Sequence, residues 1–373
     1  MSSHRLAFVQ DYVPRYRIAF FNLLVQQLQE EGIECRVLAG RAPESNAARG
    51  DEAPDADWFH PIGDPFDVWP IRLGPRVFMY GTDRHWRDFD GVVMGLRGAS
   101  LDLDLELIRK RSTGRRIGVF GHLSRFVKPP NAIDLAIERW QMKRSDHVFA
   151  YTEQGRDVAI STGVSPAKVT AVMNSLDVSD LLNAYRRLDE VEVSDFILSH
   201  SLVPGKTFGY IGGLDSPKRI DFLAEAMGII WGADREVKVI VAGRGADERL
   251  LSKAVERGQV IIAGYAGAAS KARIMRVSNA LVNPGRIGLL AVESLAVGIP
   301  ILTTDWEYHA PEYDYLHVEH DVFASRNDPK SFAELLLKYS LDDRRLPVHW
   351  GREYPTIEAM VGNFVSGIKA MYN

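Results

Sequence analysis

The sequence predicts an α/β protein built from two doubly wound parallel sheets. Three observations predict it. At 373 residues the chain exceeds what one hydrophobic core usually organises, so two domains of ordinary size are expected. Short β-branched, apolar runs alternate with longer segments of helical periodicity from one end to the other, the pattern of parallel strands covered by helices. That pattern resets at residue 207, after a polar and weakly patterned stretch. The apolar fraction of 46% and charged fraction of 25% are ordinary for folded globular chains, and no low-complexity tract interrupts them.

In the first half the expected strands are residues 6–9, 35–39, 91–94, 116–120, 147–151 and 169–173, with amphipathic helices at 18–29 and 133–143. Residues 43–75, rich in Pro, Asp, Gly and aromatics, read as an irregular excursion that could border the acceptor of a reaction. In the second half strands are expected at 207–211, 237–241, 260–263, 280–282 and 301–304, with helices at about 219–230, 247–257, 270–277 and 288–297. The join is placed in 177–204, around the charged run Arg186-Arg-Leu-Asp-Glu190. The expected domains are therefore 1–180 and 205–350, with a C-terminal helix at about 355–373 packing back on the first. Tandem folds of this kind bind ligands at the carboxyl ends of their strands, across a cleft between facing domains.

A formal charge of −4 argues against nucleic acid as partner. The single cysteine, Cys35, lies in a strand-like apolar run and reads as a buried thiol of a reducing compartment. The N-terminus runs into a strand without the pattern of a secretory signal, and no apolar run is long enough to span a bilayer, so a cytoplasmic protein is expected. The basic run 109–116, with Arg125, Lys128, Arg139, Lys143 and Arg144, reads either as solvated helix ends or as weak adsorption to anionic lipid at the inner membrane face.

The most informative stretch is Leu281-Val-Asn-Pro-Gly-Arg-Ile-Gly-Leu-Leu-Ala-Val-Glu-Ser-Leu-Ala-Val-Gly-Ile-Pro300. A strand, a Pro-Gly turn and a helix beginning near Gly288 would present free backbone N–H groups and a positive dipole end to a phosphate. Glu293 inside that helix can accept two hydrogen bonds from a ribose diol, or face solvent. Asp102-Leu-Asp104 has the look of a metal-binding Asp-x-Asp, but it precedes an apolar-periodic helix and is better explained by helix capping. His60, His85 and His147 lack a spaced partner set for zinc, so no metal site is expected.

At Gly288-Leu289, Glu293 and Ala296-Val-Gly-Ile-Pro300 the chain resembles the retaining GT-B glycosyltransferases of glycosyltransferase family 4. Their hallmark is a Glu, seven residues and a second Glu around Phe-Gly-Leu, then Ala-x-Gly-x-Pro; here the first acidic position is Gly285. Tyr210-Ile-Gly-Gly-Leu-Asp-Ser-Pro-Lys-Arg219 resembles the family's strand and loop with two basic groups for the donor diphosphate, Lys218 on the Lys position and Gly213 in place of the Arg. Val239-Ile-Val-Ala-Gly-Arg-Gly245, Asn174-Ser-Leu-Asp177 and His309-Ala-Pro-Glu312 fall where the family has a Gly-x-Gly turn, an Asn-x-x-Asp and a Gly-x-x-Glu. Val13-Pro-Arg-Tyr-Arg17 and Phe120-Gly-His122 resemble a subgroup's first loop and its Gly-His after the fifth strand.

The resemblance implies a GT-B fold of two Rossmann-like domains. It implies transfer of a hexose-type sugar from a nucleoside diphosphate to an acceptor hydroxyl, in glycan or glycolipid synthesis, with retention and without a bound cofactor. The acceptor would be a glycan, a lipid-linked sugar or a small molecule. Gly212, Gly213, Lys218, Gly285, Arg286, Gly288, Leu289 and Glu293 would bind the donor; His122 and Lys218 would be catalytic; Arg15, Tyr16 and Arg17 would face the acceptor. Each has a plainer reading: His122 as a hydrogen-bonded loop histidine, Arg15 and Arg17 as solvated charges on a helix start, Arg286 as an outward Arg on a turn. Arg219 reads as solvated. The rival functions are a nucleotide-sugar epimerase of the same architecture and a binding protein that has lost turnover.

Overall fold

A computed structural model describes residues 4–40, 53–62, 71–73, 76–78, 83–123, 132–340 and 353–373. The chain divides into two compact units, Met1–Asp177 with Pro355–Asn373, and Val178–Tyr354.

The first unit contains β1 (His4–Gln10), α1 (Ile18–Glu30), β2 (Ile33–Ala39), β3 (Phe59–Pro61), the short antiparallel pair β4 (Ile71–Leu73) and β5 (Arg76–Phe78), and β6 (Gly91–Gly95). It continues through α2 (Leu101–Thr113), β7 (Arg116–Gly121), α3 (Ala132–Arg144), β8 (His147–Ala150), α4 (Glu153–Ser161) and β9 (Val169–Ala171). The second contains α5 (Ser179–Arg187), α6 (Glu190–Ser199), β10 (Thr207–Ile211), α7 (Ile220–Ala233), β11 (Lys238–Ala242), α8 (Ser252–Glu256), β12 (Val260–Gly264) and α9 (Ala268–Val277). Then come β13 (Leu281–Val282), α10 (Leu290–Val297), β14 (Ile301–Thr304), β15 (Val322–Ser325) and α11 (Pro329–Ser340), before α12 (Ile357–Tyr372) returns to the first unit.

The first sheet has seven parallel strands in the order β3-β2-β1-β6-β7-β8-β9, and the second has six in the order β12-β11-β10-β13-β14-β15. Each order reverses once, between β1 and β6 and between β10 and β13. Those reversals are where open α/β sheets leave a crevice at their carboxyl ends. Buried on both faces, the central strands are runs of apolar residues with no polar alternation, as in 6–9, 92–94 and 239–242.

In the first unit Phe21, Leu24 and Phe364 pack on one face of the sheet against Phe8 and Phe149, bringing α1 and α12 together. Leu103, Leu107, Met142 and Ala159 of α2, α3 and α4 cover the other face over Val92, Val119 and Val148. Helix α2 is capped by Ser100, whose hydroxyl accepts from Leu103 N–H at 3.3 Å, so Asp102 and Asp104 lie buried inside the first turn and are not the cap. Cys35 is buried on β2 and burial pushes its thiol up to about 12, which leaves it unreactive.

Three sequence readings are corrected here. Residues 177–204 are not a linker: α5 and α6 pack Leu181, Tyr185 and Val193 into the second unit's core. Some of its charges are paired with the second unit, Glu190 with Arg276 at 2.8 Å and Glu192 with Arg273 at 2.9 Å, Asp189 caps α6, and Arg186 and Arg187 are exposed. Within the stretch read as irregular, Phe59–Pro61 adds an edge strand parallel to β2. Strand β15 was not anticipated, and residues 247–257 form a 3-10 turn followed by the short helix α8. Most of 43–75, and Arg125 and Lys128, lie outside the described residues.

Candidate functional site

At the reversal of the second sheet, the loop after β10 and the loop after β13 are laced together. Arg286 N–H donates to Pro217 O at 2.9 Å, and Lys218 Nζ donates back to Arg286 O. Asn283 shapes the second loop by accepting from Gly285 N–H at 3.2 Å, while Thr303 Oγ1 donates to Asn283 O at 2.7 Å. Gly212 N–H donates to Ala242 O, and Tyr210 Oη to Gly213 O at 2.6 Å, which fixes the first loop from below. Lys218 is thus no free surface lysine. Burial lowers its ammonium to about 8, with Asp215 and Glu312 pulling the other way and Arg286 adding to the fall. Half-buried Arg286 is likewise lowered by burial, against the nearby charge of Asp215.

Gly285, the position where the resembled family has its first Glu, is buried. A Cβ there would lie 2.6 Å from Pro217 O and from the carbonyl carbon of Lys218. The acid is missing because the backbone of the 216–218 turn fills its place, and what Gly285 provides is that close approach. Helix α10 begins at Leu290, two residues later than expected. Among the described residues, the N–H groups of Gly288, Leu289 and Leu290 donate to no protein acceptor, leaving the end of the helix open to an anion. Glu293, in the first turn, is buried and its Oε1 lies 2.6 Å from Lys271 Nζ.

The segment after β14 closes this loop from the other side. His309 Nδ1 accepts from Ile287 N–H at 3.3 Å, its Nε2 faces Thr304 O at 3.4 Å, and its ring stacks on Tyr313 at 4.1 Å. Burial lowers it to about 4, the bond to Thr304 O opposing and the Lys218 and Arg219 charges adding to the fall; with Nδ1 accepting from Ile287, the proton falls to Nε2. Buried Glu312 is close enough to Gly288 that a Cβ there would lie 3.7 Å from its Oε2.

Arg219 is corrected from a solvated cation to a structural one. It sits in the left-handed region at φ 56°, and its Nη1 lies 2.6 Å from Asn327 Oδ1, 3.1 Å from Pro284 O and 3.3 Å from Thr304 Oγ1. Its guanidinium lies 4.1 Å from the Phe222 ring centroid. The sequence hid this because every partner except Phe222 is more than sixty residues away.

In the first unit a hollow of about 240 Å³ opens at the carboxyl ends of β1, β6 and β7, lined among others by Asp11, Arg97, Phe120, His122 and Tyr151. His122 is exposed at its edge, 4.7 Å from the Tyr151 ring. Of the three residues expected to face an acceptor, Arg15 and Tyr16 are exposed, but Arg17 is buried and spoken for. Its guanidinium donates to Asn174 Oδ1 and, at 3.5 Å, to Ser175 O and Met360 Sδ, tying α1 to the domain's last loop and to α12. Arg17 is corrected to a packing residue. Sequence reasoning missed Asp11 and Arg97 altogether. They are 86 residues apart and meet only because β1 and β6 are neighbours, with Arg97 Nη2 2.6 Å from Asp11 Oδ2.

Among the described residues no group of three or more His, Cys, Asp and Glu side chains is arranged to hold a metal ion, and no helix is long and apolar enough to cross a membrane.

These features now meet known proteins. Residues 205–342 match the family model of glycosyl transferases group 1. The match runs from β10 to α11 and takes in both laced loops, Glu293 and Glu312. No curated protein matches the chain by sequence. Solved structures match it over nearly its whole length. HepE of Anabaena in complex with UDP aligns with a TM-score of 0.61 at 11% identity, covering 99% of this chain and 97% of that one. A putative UDP-N-acetylglucosamine 2-epimerase of Listeria monocytogenes aligns at 0.60 and 13%, covering 100% and 97%. The lipopolysaccharide outer core galactosyltransferase WaaB aligns at 0.54 and 12%, covering 99% of both. The chain therefore has the GT-B fold of two Rossmann-like units, and its second unit carries the group 1 match.

Proposed function

We propose that the chain is a retaining glycosyltransferase moving a hexose-type sugar from a nucleoside-diphosphate sugar to an acceptor hydroxyl. The observation that carries this reading is the join of Lys218 to the 284–288 loop beside the open amides of Gly288, Leu289 and Leu290, inside the segment matched by group 1 glycosyl transferases. A cation and convergent N–H groups in a partly buried setting suit a departing diphosphate, whose developing charge they stabilise without reorganising. Glu293 is assigned to the ribose diol and His122 to the transferred sugar. Leaving-group stabilisation by these groups requires no metal, and the departing phosphate itself helps take the proton of the acceptor hydroxyl.

The second unit holds the donor and the first the acceptor, in glycan or glycolipid synthesis in the cytoplasm. Exposed Arg109, Arg111, Arg139, Lys143 and Arg144, beside exposed Ile133 and Trp140, support weak contact of α2 and α3 with anionic lipid.

Incubation with labelled nucleotide sugars, with and without excess chelator, tests the reading. Transfer that survives chelation supports it. Interconversion of the donor sugar without transfer would make the protein an epimerase, and binding with neither outcome a non-catalytic receptor.

A further inference from the structure

Around Lys218 the charges of the second unit cancel. The ammonium of Lys218 and the guanidinium of Arg286 are matched by the carboxylates of Asp215 and Glu312, which bear on the same ammonium. Arg219 is committed to Asn327, Pro284 and Thr304. The open amides of 288–290 add a helix dipole end worth about half an elementary charge. A departing diphosphate carries more negative charge than this balances, so its stabilisation needs a further cation. We propose that Arg244 is that cation, a donor-binding residue whose guanidinium takes the diphosphate together with Lys218. This rests on the transferase reading above.

Strands β11, β10 and β13 are neighbours in the sheet, and the segments that follow them carry Arg244, Lys218 and the 284–288 loop in that order. Neighbouring strands lie about 4.8 Å apart, a step that an arginine side chain spans. The turn that holds Arg244 is joined to the loop after β10 through backbone. Leu214 N–H donates to Arg244 O, Asp247 N–H to Leu214 O and Gly212 N–H to Ala242 O, each at 3.0 Å. Gly243 N–H donates to Gly264 O at 2.8 Å, which anchors the turn from β12 as well.

The contact between the two loops requires glycine on both sides of Arg244. A Cβ on Gly243 would run into Gly212 O, and one on Gly245 into Leu214 O. Of residues 212–214 and 243–245, Arg244 alone carries a charge. Its side chain is exposed and, among the described residues, makes no hydrogen bond or ion pair. Arginines that serve packing in this chain are tied down, Arg17 to Asn174, Arg219 to Asn327 and Arg257 to Gln259. Arg244 is fixed at its backbone and uncommitted at its fork. A planar guanidinium in that state offers paired N–H donors that match phosphate oxygens, and its charge does not depend on pH in the range where Lys218 titrates.

The test is isothermal titration of the full chain with UDP, GDP and ADP to find the diphosphate it prefers, repeated on Arg244→Gln, Arg244→Glu and Arg244→Lys. The matching nucleoside is measured by competition against that diphosphate. Arg244→Gln should weaken the diphosphate by about tenfold, the loss of one charge-assisted contact, and leave the nucleoside unchanged. Arg244→Glu should weaken it further, and Arg244→Lys should keep part of what Arg244→Gln loses. Melting temperatures should stay as they are, because the backbone and the two glycines hold the turn. Diphosphate affinity unchanged in Arg244→Gln would overturn the proposal. Equal weakening of diphosphate and nucleoside would give Arg244 to the base and overturn it too. If no diphosphate binds the unmodified chain, the transferase reading and this proposal fall together. Diphosphate binding that depends on Arg244, with no sugar transfer, sinks that reading alone and leaves Arg244 in its role.

Discussion

Lys271 Nζ and Glu293 Oε1 are 2.6 Å apart, which turns a buried carboxylate into an oriented one. With one oxygen held by the ammonium of α9, the carboxylate is restrained against rotation.

If Glu293 binds ribose, Glu293→Gln raises the Michaelis constant for donor more than it lowers turnover, because ribose is remote from the bond that breaks. Lys271→Met should act in the same direction. It should also lower stability by about 1–3 kcal/mol, since a buried acceptor loses its partner. Steady-state kinetics and denaturation curves check both, and an unchanged Michaelis constant in Glu293→Gln counts against the ribose role.

If Lys218 meets the donor diphosphate, donor binding depends on pH. Its pKa of about 8 means the free protein loses this charge as pH rises through that value, well before an ordinary lysine would. Diphosphate affinity should therefore fall above pH 8, by up to about tenfold per unit, with proton uptake on binding. Lys218→Ala should remove the dependence and lower turnover by about 10²- to 10³-fold, and Arg286→Ala should do the latter if its guanidinium shares the phosphate. Near-normal turnover in Arg286→Ala would return that residue to a purely structural role.

Restoring the resembled family's acid at position 285 should not improve the protein. Any Cβ there meets backbone of Pro217 and Lys218 at 2.6 Å, so Gly285→Glu must push apart the two loops that Lys218 joins. Gly285→Ala alone should destabilise by about 1–3 kcal/mol. An active, equally stable Gly285→Glu would show that the loops are more pliant than their hydrogen bonds suggest.

Arg219→Ala should destabilise the second unit by about 2–3 kcal/mol, as charge-assisted bonds to Pro284 O and Asn327 are lost. Melting temperature is the readout, and diphosphate affinity at low temperature separates this from a direct contact.

Arg219 also shows where reading the sequence stops. Both sheets were legible because parallel strands, buried on two faces, are written as uninterrupted β-branched runs. Lys218 and the 288–293 stretch stand out in the sequence because the pattern is local, a strand end and a helix start within a few residues. Arg219, Arg17 and the 177–204 helices were misread for one reason. Arg219, Arg17, Glu190 and Glu192 bond partners distant in sequence, and the apolar faces of the two helices pack into a core that no local pattern announces. Asp11 with Arg97 and Lys271 with Glu293 escaped notice in the same way, because strand order and helix packing bring them together and no spacing records it.

Two histidines should make the protein acid-sensitive before its carboxylates do. Burial lowers His147 and His309 to about 4 each, from an ordinary value near 6.5. His147 is hydrogen-bonded to Thr170 at 2.8 Å, and His309 must keep Nδ1 unprotonated to receive the Ile287 N–H. Between pH 6.5 and 4 the unfolded chain therefore holds protons that the folded chain refuses. Stability falls as pH falls through that window, by about 1.4 kcal/mol per unit for each histidine. From pH 6.5 to 5 each should remove about 2 kcal/mol, and replacing either by Gln should flatten the pH profile by that amount without changing the contribution of the carboxylates. Denaturant midpoints at pH 7, 6 and 5 for the unmodified chain, His147→Gln and His309→Gln measure it. A slope identical in all three would mean that neither imidazole is held neutral, and that the bond from Ile287 N–H does not set the tautomer of His309.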